Sequence, residues 1–163
     1  MVRNGGITPH QGLDIFAPKG TSVQACLTGI VISVNENAGA FGKFIIIEVD
    51  KSDLDKLKND YVIKYDGEIE NGLSFGDSDK RYLRYGHLSE IDVVSKQGVS
   101  AGDIIGKSGN TGNAKDQNVK ARHLHFEITD AITAGKGLAN RTNPAFYVNL
   151  VTPNKEKQSK NNQ

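Results

Sequence analysis

The chain has 163 residues, a single cysteine, and 20 Lys+Arg against 19 Asp+Glu for a net charge of +1. That length suits one domain with a real core, and the near-neutral balance argues against a general nucleic-acid binder, which carries a basic excess. One cysteine excludes an intrachain disulfide, and no apolar run approaches the roughly 18 residues of a membrane span.

The opening "MVRNGGITPH" lacks the apolar stretch of a secretion signal, so localisation cannot be read from it directly. The next segment, "PHQGLDIFAPKGTSVQACLTG", carries Pro9, Gly12, Pro18, Gly20 and Gly29, which break any helix. Cys26, between apolar neighbours here, reads as a small buried hydrophobe rather than a nucleophile. "GIVISV" and "KFIIIEVD" read as two strands joined through a turn region, Asn35 to Gly42. "RYLRYGHL" (81–88) reads as a third, and "HLHFEIT" (123–129) as the last core strand. No amphipathic helix of ten residues is visible, so the class is all-β.

Two stretches echo each other. "APKGTSVQACLTGIVISV" and "KQGVSAGDIIGKSG" both set a Gly before a short apolar segment and then return to Gly. Such an echo fits a duplicated unit building two halves of a sandwich. Residues 51–80 look inserted between two strands, with five Lys against eight acids. This insert reads as a solvated loop in preference to a rim over a cleft, and its "YVIKYDG" as one further strand. Residues 152–163 are polar and low in complexity and read as a disordered tail behind a domain spanning 1–151.

The chemistry lies in four histidines, His10, His87, His123 and His125. In "HLHFEI", period-two alternation puts Leu124, Phe126 and Ile128 on one face and His123, His125 and Glu127 on the other. His10 stands four residues before Asp14, with Gly12 between them to let the chain turn. Catalytic zinc uses three protein ligands of His or carboxylate type and keeps one position open for water. His10 and Asp14 supply two; one imidazole of the "HLH" pair supplies the third, leaving its neighbour beside the metal to handle protons. There are no C-x-x-C pairs, no H-E-x-x-H, no G-x-S-x-G elbow, no P-loop and no dinucleotide fingerprint.

In this order, "HQGLDIFAPKGTSVQACLTGIV", "YLRYGHLS", "GVSAGDIIGKSGNTG" and "HLHFEI" resemble the lysostaphin/LytM-type zinc metallopeptidases, bacterial peptidoglycan endopeptidases. The resemblance covers roughly residues 7 to 148 and includes "NPAFYV" near its end. It implies a mostly antiparallel β-sandwich with a narrow groove, built on a duplicated motif. It implies one Zn2+ per chain held by His10, Asp14 and His125, with His123 and His87 as catalytic histidines. His123 is favoured as the base, because its strand fixes it beside ligand His125. Residues 51–80 and the loop 113–122 are longer than the family's pattern. Such loops border the substrate groove, so they bear on substrate choice rather than on the ligands.

The implied function is zinc-dependent hydrolysis of peptide bonds in peptidoglycan cross-links or stems. The implied setting is extracytoplasmic, in the periplasm, the wall or a competitor's wall. The partners would be peptidoglycan peptides, and an immunity protein if the chain is a delivered antibacterial toxin; neither nucleic acid nor a membrane span is expected. The alternatives are a non-enzymatic wall-binding module or amidase activator, and a zinc peptidase acting on proteins.

Overall fold

A computed structural model describes residues 2–3, 8–62, 76, 78–115, 118, 122–134 and 137–149. The two strands β1 (Val2–Arg3) and β2 (Thr8–Pro9) form a small antiparallel ladder. All other strands belong to one nine-stranded antiparallel sheet. They are β3 (Leu13–Phe16), β4 (Ser22–Gln24), β5 (Gly29–Asn35), β6 (Lys43–Asp50), β7 (Lys80–Ile91), β8 (Gly98–Val99), β9 (Ile104–Ser108), β10 (His123–Thr129) and β11 (Arg141–Thr142). The fold class is therefore the expected one, mostly antiparallel β with very little helix.

The expected strands form where β-branched and aromatic residues cluster. "KFIIIEVD" is β6 and "HLHFEIT" is β10, residue for residue. The strand expected over 81–88 runs longer, to Ile91, because it serves two partners along one edge. Residues Tyr82–Gly86 of β7 pair with β10, and Leu88–Ile91 pair with β9. One long strand thus joins both parts of the sheet. Val23 of β4, Ala25 just after it and Ile105 of β9 share one buried cluster with Ile45, Ile47, Leu83, Tyr85, Phe126 and Ile128 from β6, β7 and β10. Each fully buried side chain of this kind contributes about 1.5–3 kcal/mol.

The two echoing segments pair crosswise. β4 of the first lies against β9 of the second, and β5 of the first against β8 of the second. Backbone bonds link Ala25 with Gly102 and Asp103, and Val31 with Lys96 and Gln97. The arrangement fits a duplicated unit whose two copies interlock.

Two expectations need correction. Cys26 is exposed, not buried. Alternation sends Val23 and Ala25 inward and leaves the next position at the surface, where the Cys26 backbone N–H donates to Tyr85 Oη at 3.1 Å. Nor does the insert begin as a solvated loop. A one-turn helix, α1 (Lys51–Asp55), buries Leu54 in the core. Asn59 then donates from its backbone to Phe146 and from Nδ2 to the Ala145 carbonyl, while Tyr61 packs edge-on against the Phe146 ring at 5.7 Å. Its returning end is fastened too: the Gly76 N–H donates to Asp130 Oδ2, and Lys51 N–H to the Asp79 carbonyl. The expected strand "YVIKYDG" lies outside the described residues beyond Val62, and the tail from 152 lies wholly outside them.

Candidate active site

β10 carries the site because of its neighbours. On one edge it pairs with β3, which sets His125 directly opposite Asp14. On the other edge it pairs with β7, which sets His125 opposite Gly86, one residue before His87. The face expected to be polar is covered rather than solvated: His123, His125 and Glu127 are all buried. Gly12 contributes by close approach. A Cβ there would sit 2.4 Å from the Phe126 carbonyl oxygen and 2.9 Å from Glu127 Cγ, so only glycine lets the segment from His10 to Asp14 lie flat on β10. This differs from the expected role in turning the chain, since the constraint is space.

Three imidazole nitrogens converge on one carboxylate oxygen. Asp14 Oδ1 lies 2.8 Å from His125 Nδ1, 3.0 Å from His10 Nε2 and 3.4 Å from His123 Nε2. The ligand atoms of His10, Asp14 and His125 all lie within 4.8 Å of one another. Two nitrogens from buried imidazoles and one oxygen from the half-buried Asp14, gathered this closely, are the donor set that a catalytic zinc takes. Electrostatics agree. Burial alone would raise the Asp14 carboxyl, but hydrogen bonds from His10 and His125 and the charge of His10 and His123 hold it far below the usual carboxylate range. Burial would lower His125, yet its hydrogen bonds to Asp14 and Glu127 raise it instead. Carboxylates holding these imidazoles leave a concentrated negative charge for a cation to displace the proton from.

His87 is placed by a backbone irregularity. The register between β6 and β7 slips between Lys43 and Ile45, so β7 carries an extra residue there. His87 stands in that bulge with φ of 60°, where β7 changes partner from β10 to β9. Bulges re-aim side chains in this way, and the left-handed conformation costs a non-glycine residue about 1–2 kcal/mol. The His87 ring packs edge-on to His123 at 5.1 Å and lies 5.6 Å from His125. Its Nδ1 donates to the Thr111 carbonyl at 2.9 Å. Burial, and then the neighbouring His125 and His123, push its pKa down to about 4.

Sequence reasoning missed the supports of these groups. Thr111, in "GNTG", fixes His87 through its carbonyl while its Oγ1 accepts from Lys43 N–H and donates to the Leu88 carbonyl. The short turns Gly39–Phe41 and Gly112–Ala114 meet backbone to backbone at Gly42 and Gly112, both at φ of 65° and both with no room for a Cβ. Phe41 on the first turn lies 5.7 Å from the His125 ring, and the Arg84 guanidinium lies 5.8 Å from both the Phe41 and the Phe44 ring centres.

A small antiparallel β domain whose sheet gathers two histidines and an aspartate, with two further imidazoles beside them, defines a hydrolase centre of the metallopeptidase class. The sequence matches peptidase family M23 over residues 8–59 and 61–137, and the chain belongs to that family, as a peptidase of the lysostaphin/LytM type. It is 31% identical over 122 residues to the peptidoglycan DD-endopeptidase ShyA of Vibrio cholerae, covering 75% of this chain and 20% of that protein. The chain thus spans about a fifth of that relative's length. The catalytic domain of the antimicrobial peptidase lysostaphin from Staphylococcus simulans superposes with a TM-score of 0.55 at 26% identity, over 86% of this chain and 78% of that one. The catalytic domain of the prophage-encoded M23 protein EnpA from Enterococcus faecalis shares the fold, with a TM-score of 0.56 at 23% identity over 91% and 87%.

Proposed function

We propose that this protein is a zinc-dependent endopeptidase that hydrolyses peptide bonds of bacterial peptidoglycan outside the cytoplasm. The observation that carries the proposal is the convergence of His10 Nε2, Asp14 Oδ1 and His125 Nδ1, with His87 and His123 at their side. The similarity to ShyA supports the substrate class. His10, Asp14 and His125 would hold the zinc ion, which would supply a Lewis acid and activate water near neutral pH.

The surroundings of the two rings divide the work between the other two histidines. A carbonyl oxygen only accepts, so His87 Nδ1 carries the proton and Nε2 keeps the lone pair. With its pKa pushed down to about 4, His87 stays neutral at pH 7 and presents an acceptor to the attacking water. His123 Nε2 faces the Asp14 carboxylate at 3.4 Å, which favours a proton on that nitrogen. It is then a donor, suited to the developing oxyanion or to the leaving amine. This reverses the assignment favoured from sequence, in which His123 is the base.

The test is mass spectrometry of purified peptidoglycan digested by the zinc-loaded protein, with a chelated control. Zinc-dependent release of new peptides is expected, and the fragment masses name the bond. His125→Ala should lose both zinc and activity, whereas His123→Ala should lose activity and largely keep zinc. Bound zinc without new products would turn the reading towards a wall-binding module, and products from protein substrates alone would remove peptidoglycan as the substrate.

A further inference from the structure

Glu127 takes no part in the division of labour above, yet it is the most completely enclosed charge beside the site, with 0% of its surface exposed. Burying a carboxylate is costly unless it is paired and hydrogen-bonded. Both flanking strands supply partners. Arg84 is its direct cross-strand neighbour on β7, with Nη1 3.4 Å from Oε2. Arg141, on β11, donates from Nε to the same oxygen at 3.2 Å, and the Gly137 and Ala139 carbonyls anchor its Nη1. Both guanidiniums therefore occupy Oε2. That leaves Oε1, and Oε1 lies 3.0 Å from His125 Nε2.

The direction of that last bond is settled by chemistry. An ionised carboxylate only accepts, so His125 Nε2 must be the donor. A neutral His125 ring then has its lone pair on Nδ1, the nitrogen that faces Asp14 at 2.8 Å within the ligand cluster. A carboxylate behind a metal-binding imidazole orients the ring and fixes its tautomer, and loss of such a partner weakens metal binding about 10–100-fold.

We propose that Glu127, clamped by Arg84 and Arg141, is a positioning residue that locks His125 in the Nε2–H tautomer and thereby sets the affinity of the site for zinc. The inference rests on the zinc reading of His10, Asp14 and His125. It also accounts for a charge triad placed under a catalytic strand where apolar residues would pack without cost.

Glu127→Gln is the informative variant because it keeps the shape and inverts one hydrogen bond. The two arginines have only donors to offer, so the glutamine carbonyl oxygen turns to them and its NH2 is left against His125 Nε2. That nitrogen must then accept, which moves the proton to Nδ1 and blocks the ligand position. Equilibrium zinc titration against a competing chelator reads the result. The wild-type protein should bind one zinc, and Glu127→Gln should bind it about 10–100-fold more weakly with its circular dichroism unchanged. A purely structural role would lower the melting temperature and leave the zinc Kd where it was; that outcome overturns the inference while the zinc site stands. A wild-type protein that takes up no zinc overturns the zinc reading itself. Should Glu127→Gln fail to fold, Arg84→Met, which removes one clamp from a partly exposed position, decides: a weaker zinc Kd supports the inference and an unchanged one refutes it.

Discussion

At His87 the backbone and the ring are fixed by different neighbours. The bulge in β7 sets φ at 60°, and the Thr111 carbonyl holds Nδ1. The consequence is a histidine that stays neutral well below its usual range, at a pKa of about 4 against 6.5. Between those values the unfolded chain binds more protons than the folded one. The contribution of His87 to stability is therefore complete above about pH 6.5 and lost as pH falls towards 4. Asp14 and Glu127, both lowered, act in the same sense at more acid pH. His125 is raised and acts oppositely: its contribution is present in acid and lost as pH rises through its folded pKa. An NMR titration of the metal-free protein should show His87 as the Nδ1–H tautomer, neutral at pH 6 and protonating near 4; protonation near 6.5 would remove the basis for its role as acceptor. Residues of this kind divide sharply in how far the sequence shows them. His10, Asp14, His123 and His125 are legible because the chain has only four histidines and the "HLH" spacing shares a face. Thr111 and Glu127 are not, because one acts through a carbonyl that every residue has, and the other sits at a position where alternation predicts an ordinary exposed acid.

Elements bring together what spacing cannot. β3 and β10 are far apart in sequence, and their ladder puts Asp14 opposite His125. Strands rich in Ile and Val, such as β6, announce themselves, and so does β10. The short strands β3, β4 and β8 do not, since each is four residues or fewer and is defined by its partner. The crosswise pairing of the echoing segments is equally a tertiary fact, invisible in either copy alone. Packing between β10 and the segment before β3 gives a direct test. In Gly12→Ala the new methyl would meet the Phe126 carbonyl at 2.4 Å, and backbone cannot yield as a flexible side chain can. The strand must lift, at a cost of about 1–3 kcal/mol or more, and His10 and Asp14 lift with it. Thermal melting and zinc titration of this variant should show both a lower melting temperature and weaker zinc binding. Normal zinc affinity in a destabilised variant would show that the ligand pair does not depend on this contact.

Across the whole molecule, the site is where the chain's two ends of chemistry meet. Among the described residues β3 is held in the sheet through β10 alone, whereas β6, β7 and β10 each have a partner on both edges. A metal ion shared by His10, Asp14 and His125 would fasten this edge strand a second time, bridging residues 111 apart in sequence. Ligand that binds only the folded state stabilises by about 2.7 kcal/mol at a hundredfold excess over Kd, and each kcal/mol moves the melting temperature of a chain this size by about 2–4 °C. Zinc should thus raise the melting temperature by about 5–10 °C over the chelated protein. The added protection from hydrogen exchange should be concentrated in β3, because the paired strands β5 and β6 gain nothing locally from the clip. A uniform rise in protection across the sheet would mean that β3 already unfolds only with the rest. No rise in melting temperature, with zinc bound, would mean that the three ligands are held in place by the sheet and the buried charges around Glu127, and that the metal serves the chemistry alone.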